Sequence, residues 1–278
     1  MDITADYIRN QVALALREDI GSGDVTANLL DQNKIASAKL ITREHAILCG
    51  TKWFDEVYNQ LDKNVSIDWL ASDCANICAG QTLCTLQGPA HSILTGERAG
   101  LNFLQTLSGT ATLTHQFVTA IGNTKTKILD TRKTIPGLRL AQKYAVKCGG
   151  GHNHRIGLYD MVLIKENHVT SCGSIKAAIQ QAQRLYPDLP MEIEVESLDE
   201  LEEALFAGAK RILLDNFDIT TLKEAVTHVD GKAELEASGN ITLENIRETA
   251  ATGVDYISTG AITKNVKAID LSLRIVKD

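Results

Sequence analysis

After residue 125 the chain settles into six short β-rich runs, TKILD, DMVLIK, MEIEVE, RILLD, AELEAS and DYISTG, separated by helical stretches. Repeated βα alternation of this kind implies a parallel sheet with right-handed crossovers, either doubly wound or closed into a barrel. The barrel is the preferred reading, because each run closes on polar residues. These are Asp130 with Arg132 and Lys133, Lys165 with Glu166 and Asn167, Glu194 with Glu196, Asp215 with Asn216, Glu236 with Ser238, and Ser258 with Thr259. In a barrel such ends converge on the C-terminal face, where barrel enzymes hold their chemistry. Strands simply meeting solvent would account for one or two polar ends, not for all six.

The first part of the chain has a different grammar. Ile8, Val12, Ala15 and Leu16 form one apolar helical face that Gly21 and Gly23 end. ASAKLITR and AILCG read as strands, TKWFDEVYNQL as a helix, and VSIDWL and QTLCTLQG as further strands, so this part is mixed α+β. From Pro89, Ile93, Leu94, Leu101, Leu104 and Leu107 keep helical spacing up to a break at Gly109, and a second helix continues to about Ile121.

The formal net charge of −7 argues against general nucleic-acid affinity, yet it hides an uneven distribution. Between 125 and 165 nine basic residues face two acids, a local charge of +7. Arg139, Lys143 and Lys147 recur at helical spacing, as a solvated face would. Arg132, Lys133 and Arg155 have no such explanation. No run approaches ~18 apolar residues and no basic n-region precedes an apolar stretch, so neither a membrane span nor a signal peptide is expected, and a cytoplasmic location is. The six cysteines include no CxxC pair, which suits reduced, buried thiols better than disulfides or zinc.

The stretch CGGGHNHR, residues 148–155, places three glycines directly before His152, His154 and Arg155. The glycines follow a helix and precede a strand, the reverse of a dinucleotide loop, and no Walker A sequence is present. A metal pair in HNH lacks further ligands at credible spacing. The chemistry that fits is anion binding. Guanidinium forks match carboxylate and phosphate, Lys adds a point charge, and the acids Glu194 and Asp215 suit a phosphate ester carrying Mg²⁺. The glycines would let backbone N–H groups and His154 approach a flat or anionic ligand.

DTRKTIPGLR, GGGHNHRIGLYDMVLIKENH, EIEVES, LLDNF, ASGNITLENI and DYISTGAIT, with LREDIGSGDVT at the front, closely resemble the quinolinate phosphoribosyltransferase family, in order and over essentially the whole chain. The resemblance implies an N-terminal α/β sandwich domain, residues 1–110 with the bridging helix, and a C-terminal open, TIM-like α/β barrel, residues 111–278, whose last residues pack back on the first domain. It implies transfer of a phosphoribosyl group from phosphoribosyl pyrophosphate to quinolinate with Mg²⁺, giving nicotinate mononucleotide, pyrophosphate and CO₂ in de novo NAD biosynthesis. It also implies a homodimer, open to higher assembly, with an active site shared between subunits. Carried over by position, Arg132, His154 and Arg155 bind the quinolinate carboxylates, joined by Arg98 from the neighbouring subunit. Lys133 and Lys165 lie near both substrates, Glu194 and Asp215 face the ribose and the metal-pyrophosphate, and Ser238, Gly239 and Gly260 lie near the 5′-phosphate. Glu166 stands where the family pattern has Asp.

Two other readings compete. One is a relative with the same fold, either transport-associated with an unknown substrate or a non-decarboxylating enzyme, whose nicotinate would need fewer cations than Arg98, Arg132 and Arg155 together provide. A polyanion-binding module would bind without turnover and leaves Glu194 and Asp215 unexplained.

Overall fold

The computed structural model describes residues 3–31 and 34–276. In chain order the elements are α1 (Ala5–Ile20), β1 (Ile35–Thr42), β2 (Ala46–Ile47), α2 (Thr51–Leu61), β3 (Ser66–Trp69), β4 (Asn76–Ile77), β5 (Thr82–Pro89) and α3 (Ala90–Ala120). There follow β6 (Lys127–Leu129), α4 (Arg139–Cys148), β7 (Val162–Ile164), α5 (Glu166–Cys172), α6 (Ile175–Leu185), β8 (Met191–Val195), α7 (Leu198–Phe206) and β9 (Arg211–Asp215). The chain closes with α8 (Ile219–Val229), β10 (Glu234–Ser238), α9 (Ile246–Ala250), β11 (Tyr256–Ser258), α10 (Ala261–Lys264) and β12 (Leu271–Ile275).

These elements form two compact units that interleave along the chain. One takes the residues up to His115, Pro136–Gly150 and those from Val266; the other takes Gln116–Ile135 and Gly151–Asn265. Both α4 and β12 belong to the first unit.

The first unit holds a four-stranded antiparallel sheet in the order β12-β1-β5-β3. Alternation along β1 buries Ala36, Ala38, Leu40 and Thr42 on one face, and Ile8, Val12 and Leu16 of α1 join Trp53, Phe54 and Val57 of α2 in the same core. The expected break at Gly109 does not occur, and α3 runs unbroken through it. Glycine is required there for space: a Cβ would lie 2.2 Å from the Lys267 carbonyl oxygen.

The second unit is a six-stranded sheet in the order β6-β11-β10-β9-β8-β7, and its recorded pairs are parallel. All six sequence runs are therefore strands of one sheet. The sheet is open among the described residues, with β6 and β7 at its edges. Helices between the strands begin on side-chain caps: Ser174 accepts from the Ala177 N–H, Ser197 from Glu200 and Asp218 from Thr221. Each such cap contributes ~1 kcal/mol. Ile193, Val195, Ile212 and Leu214 are buried, and Glu194 alternates with them on β8.

Candidate active site

The carboxyl ends of these strands surround an open cavity of about 280 Å³. Thr131, Arg132 and Lys133 follow β6, Lys165 follows β7, Glu194 lies on β8, Asp215 ends β9, Glu236 and Ser238 lie on β10, and Ser258 ends β11. His154 and Arg155 complete the wall, with Leu163 and Leu213 as apolar lining.

The HNHR segment reaches the cavity along the open edge of β6. His152 bridges Leu129 in parallel register, and its N–H donates to the Ile128 carbonyl at 2.8 Å. Asp130, fully buried, then fixes the next two residues. One of its oxygens accepts from the His154 N–H at 2.9 Å and the other from Asn153 Nδ2 at 2.6 Å. Asp160 closes the following turn by accepting from the N–H groups of Ile156 and Gly157. His152 itself is exposed and is not part of this cavity's lining.

Two of the glycines before this segment have a role in the fold. A Cβ on Gly149 would lie 2.3 Å from the Ala111 carbonyl oxygen, so glycine lets α4 end directly against α3, and Gly150 takes a left-handed φ of 87°.

Charge is arranged in two tiers. In the upper tier Lys165 Nζ pairs with Glu194 Oε2, while burial and then the Arg132 charge hold the Arg155 guanidinium below its ordinary value. Two guanidiniums lining one cavity favour an anion there. The lower tier is a buried chain. His154 Nε2 lies 2.8 Å from Glu192 Oε2, Arg211 Nε donates to Glu192 Oε1 at 2.9 Å, and Arg211 Nη2 donates to Glu236 Oε2 at 2.6 Å. The Arg211 guanidinium also sits 4.3 Å from the centre of the Tyr256 ring. Burial pushes Glu192 up, but the hydrogen bond from His154 and the charge and hydrogen bond of Arg211 prevail and hold it below the usual range. Glu236 is pushed up to about 7, first by burial and then by the Glu192 charge.

Of the residues anticipated from sequence, Arg132, Lys133, His154, Arg155, Lys165, Glu194, Asp215 and Ser238 line the cavity. Gly239, Gly260 and Arg98 do not. Gly239 has a φ of 96° and is packed on Asn216, Gly260 is the residue before α10 and is packed on Lys133, and Arg98 is exposed on α3 of the first unit. Glu192, Arg211 and Tyr256 were not anticipated, although alternation in MEIEVE places Glu192 on the same strand face as Glu194. Lys143, expected on a solvated face, is fully buried.

Residues 24–108 match the model of the quinolinate phosphoribosyl transferase N-terminal domain and residues 110–274 that of its C-terminal domain. The chain belongs to the quinolinate phosphoribosyltransferase family. Among solved structures, the nicotinate-nucleotide pyrophosphorylase from Francisella tularensis is 51% identical, with a TM-score of 0.96 over 99% of this chain and 98% of that one. The nicotinate-nucleotide pyrophosphorylase from Ehrlichia chaffeensis is 40% identical, with a TM-score of 0.94 over 99% and 100%. The carboxylating nicotinate-nucleotide pyrophosphorylase of Mycobacterium leprae is 40% identical over 98% of each chain. The cavity thus lies in the family's C-terminal domain, on segments this member holds with the Asp130 bonds and the Glu192–Arg211–Glu236 chain. Among the described residues no helix is long and apolar enough to cross a membrane.

Proposed function

We propose that the chain is a quinolinate phosphoribosyltransferase, a pentosyltransferase that joins quinolinate to phosphoribosyl pyrophosphate and releases nicotinate mononucleotide, pyrophosphate and CO₂ in de novo NAD biosynthesis. Membership of the family over both domains supports this reading. The observation that carries it into chemistry is the cavity that Arg132, Lys133, Arg155 and Lys165 line together with Glu194 and Asp215.

In our reading Arg132 and Arg155 hold the two quinolinate carboxylates. Both ring nitrogens of His154 are engaged, Nδ1 by the Arg155 N–H at 2.7 Å and Nε2 by Glu192. The imidazole therefore contributes a fixed wall and keeps Arg155 in place. The pyridine nitrogen attacks the anomeric carbon while the bond to pyrophosphate breaks, and Glu194 stabilises the oxocarbenium character that develops. The attacking lone pair carries no proton, so no strong base is required. Once the nitrogen is quaternised, the adjacent carbon–carboxylate bond breaks. Its electron pair stays on the ring carbon beside the positive nitrogen, CO₂ leaves, and a proton takes its place. Holding and partly desolvating that carboxylate is the main task of the site.

The donor set fits Mg²⁺. Glu194 and Asp215 offer hard oxygen ligands, but Glu194 is paired with Lys165 and Asp215 accepts from Asn216 Nδ2 at 2.8 Å. The two carboxylates would therefore hold an ion that arrives on pyrophosphate oxygens and keeps several waters. When bound, Mg²⁺ neutralises charge on the leaving pyrophosphate. In this reading Lys133 and Lys165 serve both substrates, and Ser238, Gly239 and Gly260 the 5′-phosphate. Arg98 acts in the site of a neighbouring subunit of a homodimer.

The test is to incubate the protein with quinolinate, phosphoribosyl pyrophosphate and Mg²⁺ and follow CO₂ and nicotinate mononucleotide. The two products should form in equal amounts. Comparable turnover with nicotinate, which has one carboxylate, would overturn the substrate assignment.

A further inference from the structure

Three thiols far apart in sequence meet in the first unit, and none lines the cavity. Cys74 Sγ lies 2.8 Å from Cys148 Sγ, and the ligand atoms of Cys49, Asp73 and Cys148 lie within 4.8 Å of one another. The expectation of buried thiols holds for Cys49 and Cys148 but not for Cys74, which is exposed. Backbone bonds pin Cys74 beside Cys49: its N–H donates to the Leu48 carbonyl at 2.8 Å, and the Leu48 N–H donates to Ala75 at 3.0 Å.

The conformation of Cys74 is the second observation. Its φ of 71° is left-handed, a conformation that glycine or asparagine adopts with less strain. A cysteine held there, with its sulfur against another thiol, points to use of the side chain.

A metal centre fits less well than a sulfur–sulfur bond. Both oxygens of Asp73 are occupied, one by the N–H groups of Gly50 and Thr51 at 3.0 Å each and the other by the Tyr144 hydroxyl at 2.7 Å. Two thiolates on a tetrahedral zinc stand about 3.8 Å apart, wider than the pair here. A disulfide needs about 2.05 Å, which a movement of under about 1 Å of the exposed turn would give.

We propose that Cys74 and Cys148 are an oxidant-responsive pair in which peroxide oxidises Cys148 and Cys74 closes a disulfide with it. The Cys148 thiolate attacks a peroxide oxygen, the O–O bond breaks and hydroxide leaves, giving the sulfenic acid. The Cys74 sulfur then attacks the Cys148 sulfur, the S–O bond breaks, and the Cys74 proton leaves with the hydroxyl as water. The two sulfurs lose two electrons and the peroxide gains them; an external thiol reverses the change. The environment sorts the roles. A hydrogen bond from Cys49 leads in holding Cys148 down to about 7 against burial, whereas partial burial of its sulfur, then the hydrogen bond with Cys148, pushes Cys74 up to about 12. Cys148 is thus the reacting thiolate and Cys74 the resolving thiol.

The full chain would be treated with hydrogen peroxide, alkylated with N-ethylmaleimide, digested and mapped by mass spectrometry. The expected product is one Cys74–Cys148 disulfide that disappears on reduction with dithiothreitol. In Cys74→Ser, which should keep the wild-type thermal midpoint, peroxide with dimedone should label Cys148 and form no internal disulfide. Absence of the 74–148 link in the wild type, a Cys49–Cys148 link in its place, or preferential labelling of Cys78 or Cys172 would overturn the proposal. Stoichiometric zinc that shields the three thiols from N-ethylmaleimide would do the same.

Discussion

His154 donates from Nε2 to Glu192 across 2.8 Å, and the accepting carboxylate has no exposed side-chain surface. The Arg155 N–H occupies Nδ1, so the ring proton belongs on Nε2, facing the acid. Arg211 grips the other Glu192 oxygen and reaches on to Glu236. The orientation of a cavity-wall residue is thereby set by charges buried within the sheet.

Glu192→Ala removes the centre of that chain and leaves Arg211 with one carboxylate and His154 without its acceptor. Breaking a buried pair from one side costs about 3–5 kcal/mol. The urea midpoint should fall accordingly, and quinolinate affinity should fall with it as His154 and Arg155 lose their anchor. An unchanged midpoint would mean that Arg211 finds another partner.

Glu236 sets a pH dependence. Its folded value of about 7 lies above the ordinary 4.5, so its contribution is fully present below about pH 4.5 and is lost as pH rises towards 7. Glu192, held low, works in the opposite sense at the acid end and loses its contribution as pH falls through its folded value. In urea titrations the stability of the wild type relative to Glu236→Gln should decline between about pH 4.5 and 7 and then level off. A constant difference across that window would show that Glu236 stays ionised.

Arg132→Ala and Arg155→Ala should each weaken quinolinate binding by about 1.5–3 kcal/mol, the loss of a charged hydrogen bond. Binding of phosphoribosyl pyrophosphate should change less. Lysine at either position should fail to restore affinity, because it lacks the planar fork. Calorimetry on folded variants reads both effects.

Arg98 tests the shared site. Arg98→Ala and Glu194→Ala should each be nearly inactive alone. When they are denatured and refolded together, half the dimers are mixed and one site in each mixed dimer is whole, so about a quarter of wild-type activity should return. No recovery after confirmed subunit exchange would confine Arg98 to its own chain or remove it from the reaction.

Gly109→Ala should destabilise the protein by about 1–3 kcal/mol despite alanine's better helix propensity. The added carbon would lie 2.2 Å from the Lys267 carbonyl. A raised thermal midpoint would show that the chain at Lys267 yields.

The same glycine marks where sequence stops being legible. Propensity reads Gly109 as a break, and only the later approach of Lys267 explains an unbroken helix. Lys143 fails for a similar reason: its spacing suits a solvated face, but of the three basic residues on that face only Lys147 is exposed. The six strands were legible because β-branched runs between helical stretches are a local signal, and the cavity residues followed from their shared end. Glu192 and Arg211 were legible in part, since strand alternation gives the face of each but not that they pair across neighbouring strands.

The pairing of β12 with β1 bears on synthesis at the ribosome. β12 covers one edge of β1, from Ala38–Ile275 to Thr42–Leu271, so that edge lacks its partner until about 230 further residues have been translated. At ordinary elongation rates that is roughly 10–45 s during which β1 offers open N–H and C=O groups to any neighbouring nascent chain. The first unit, begun early, is among the last parts of the molecule to be completed.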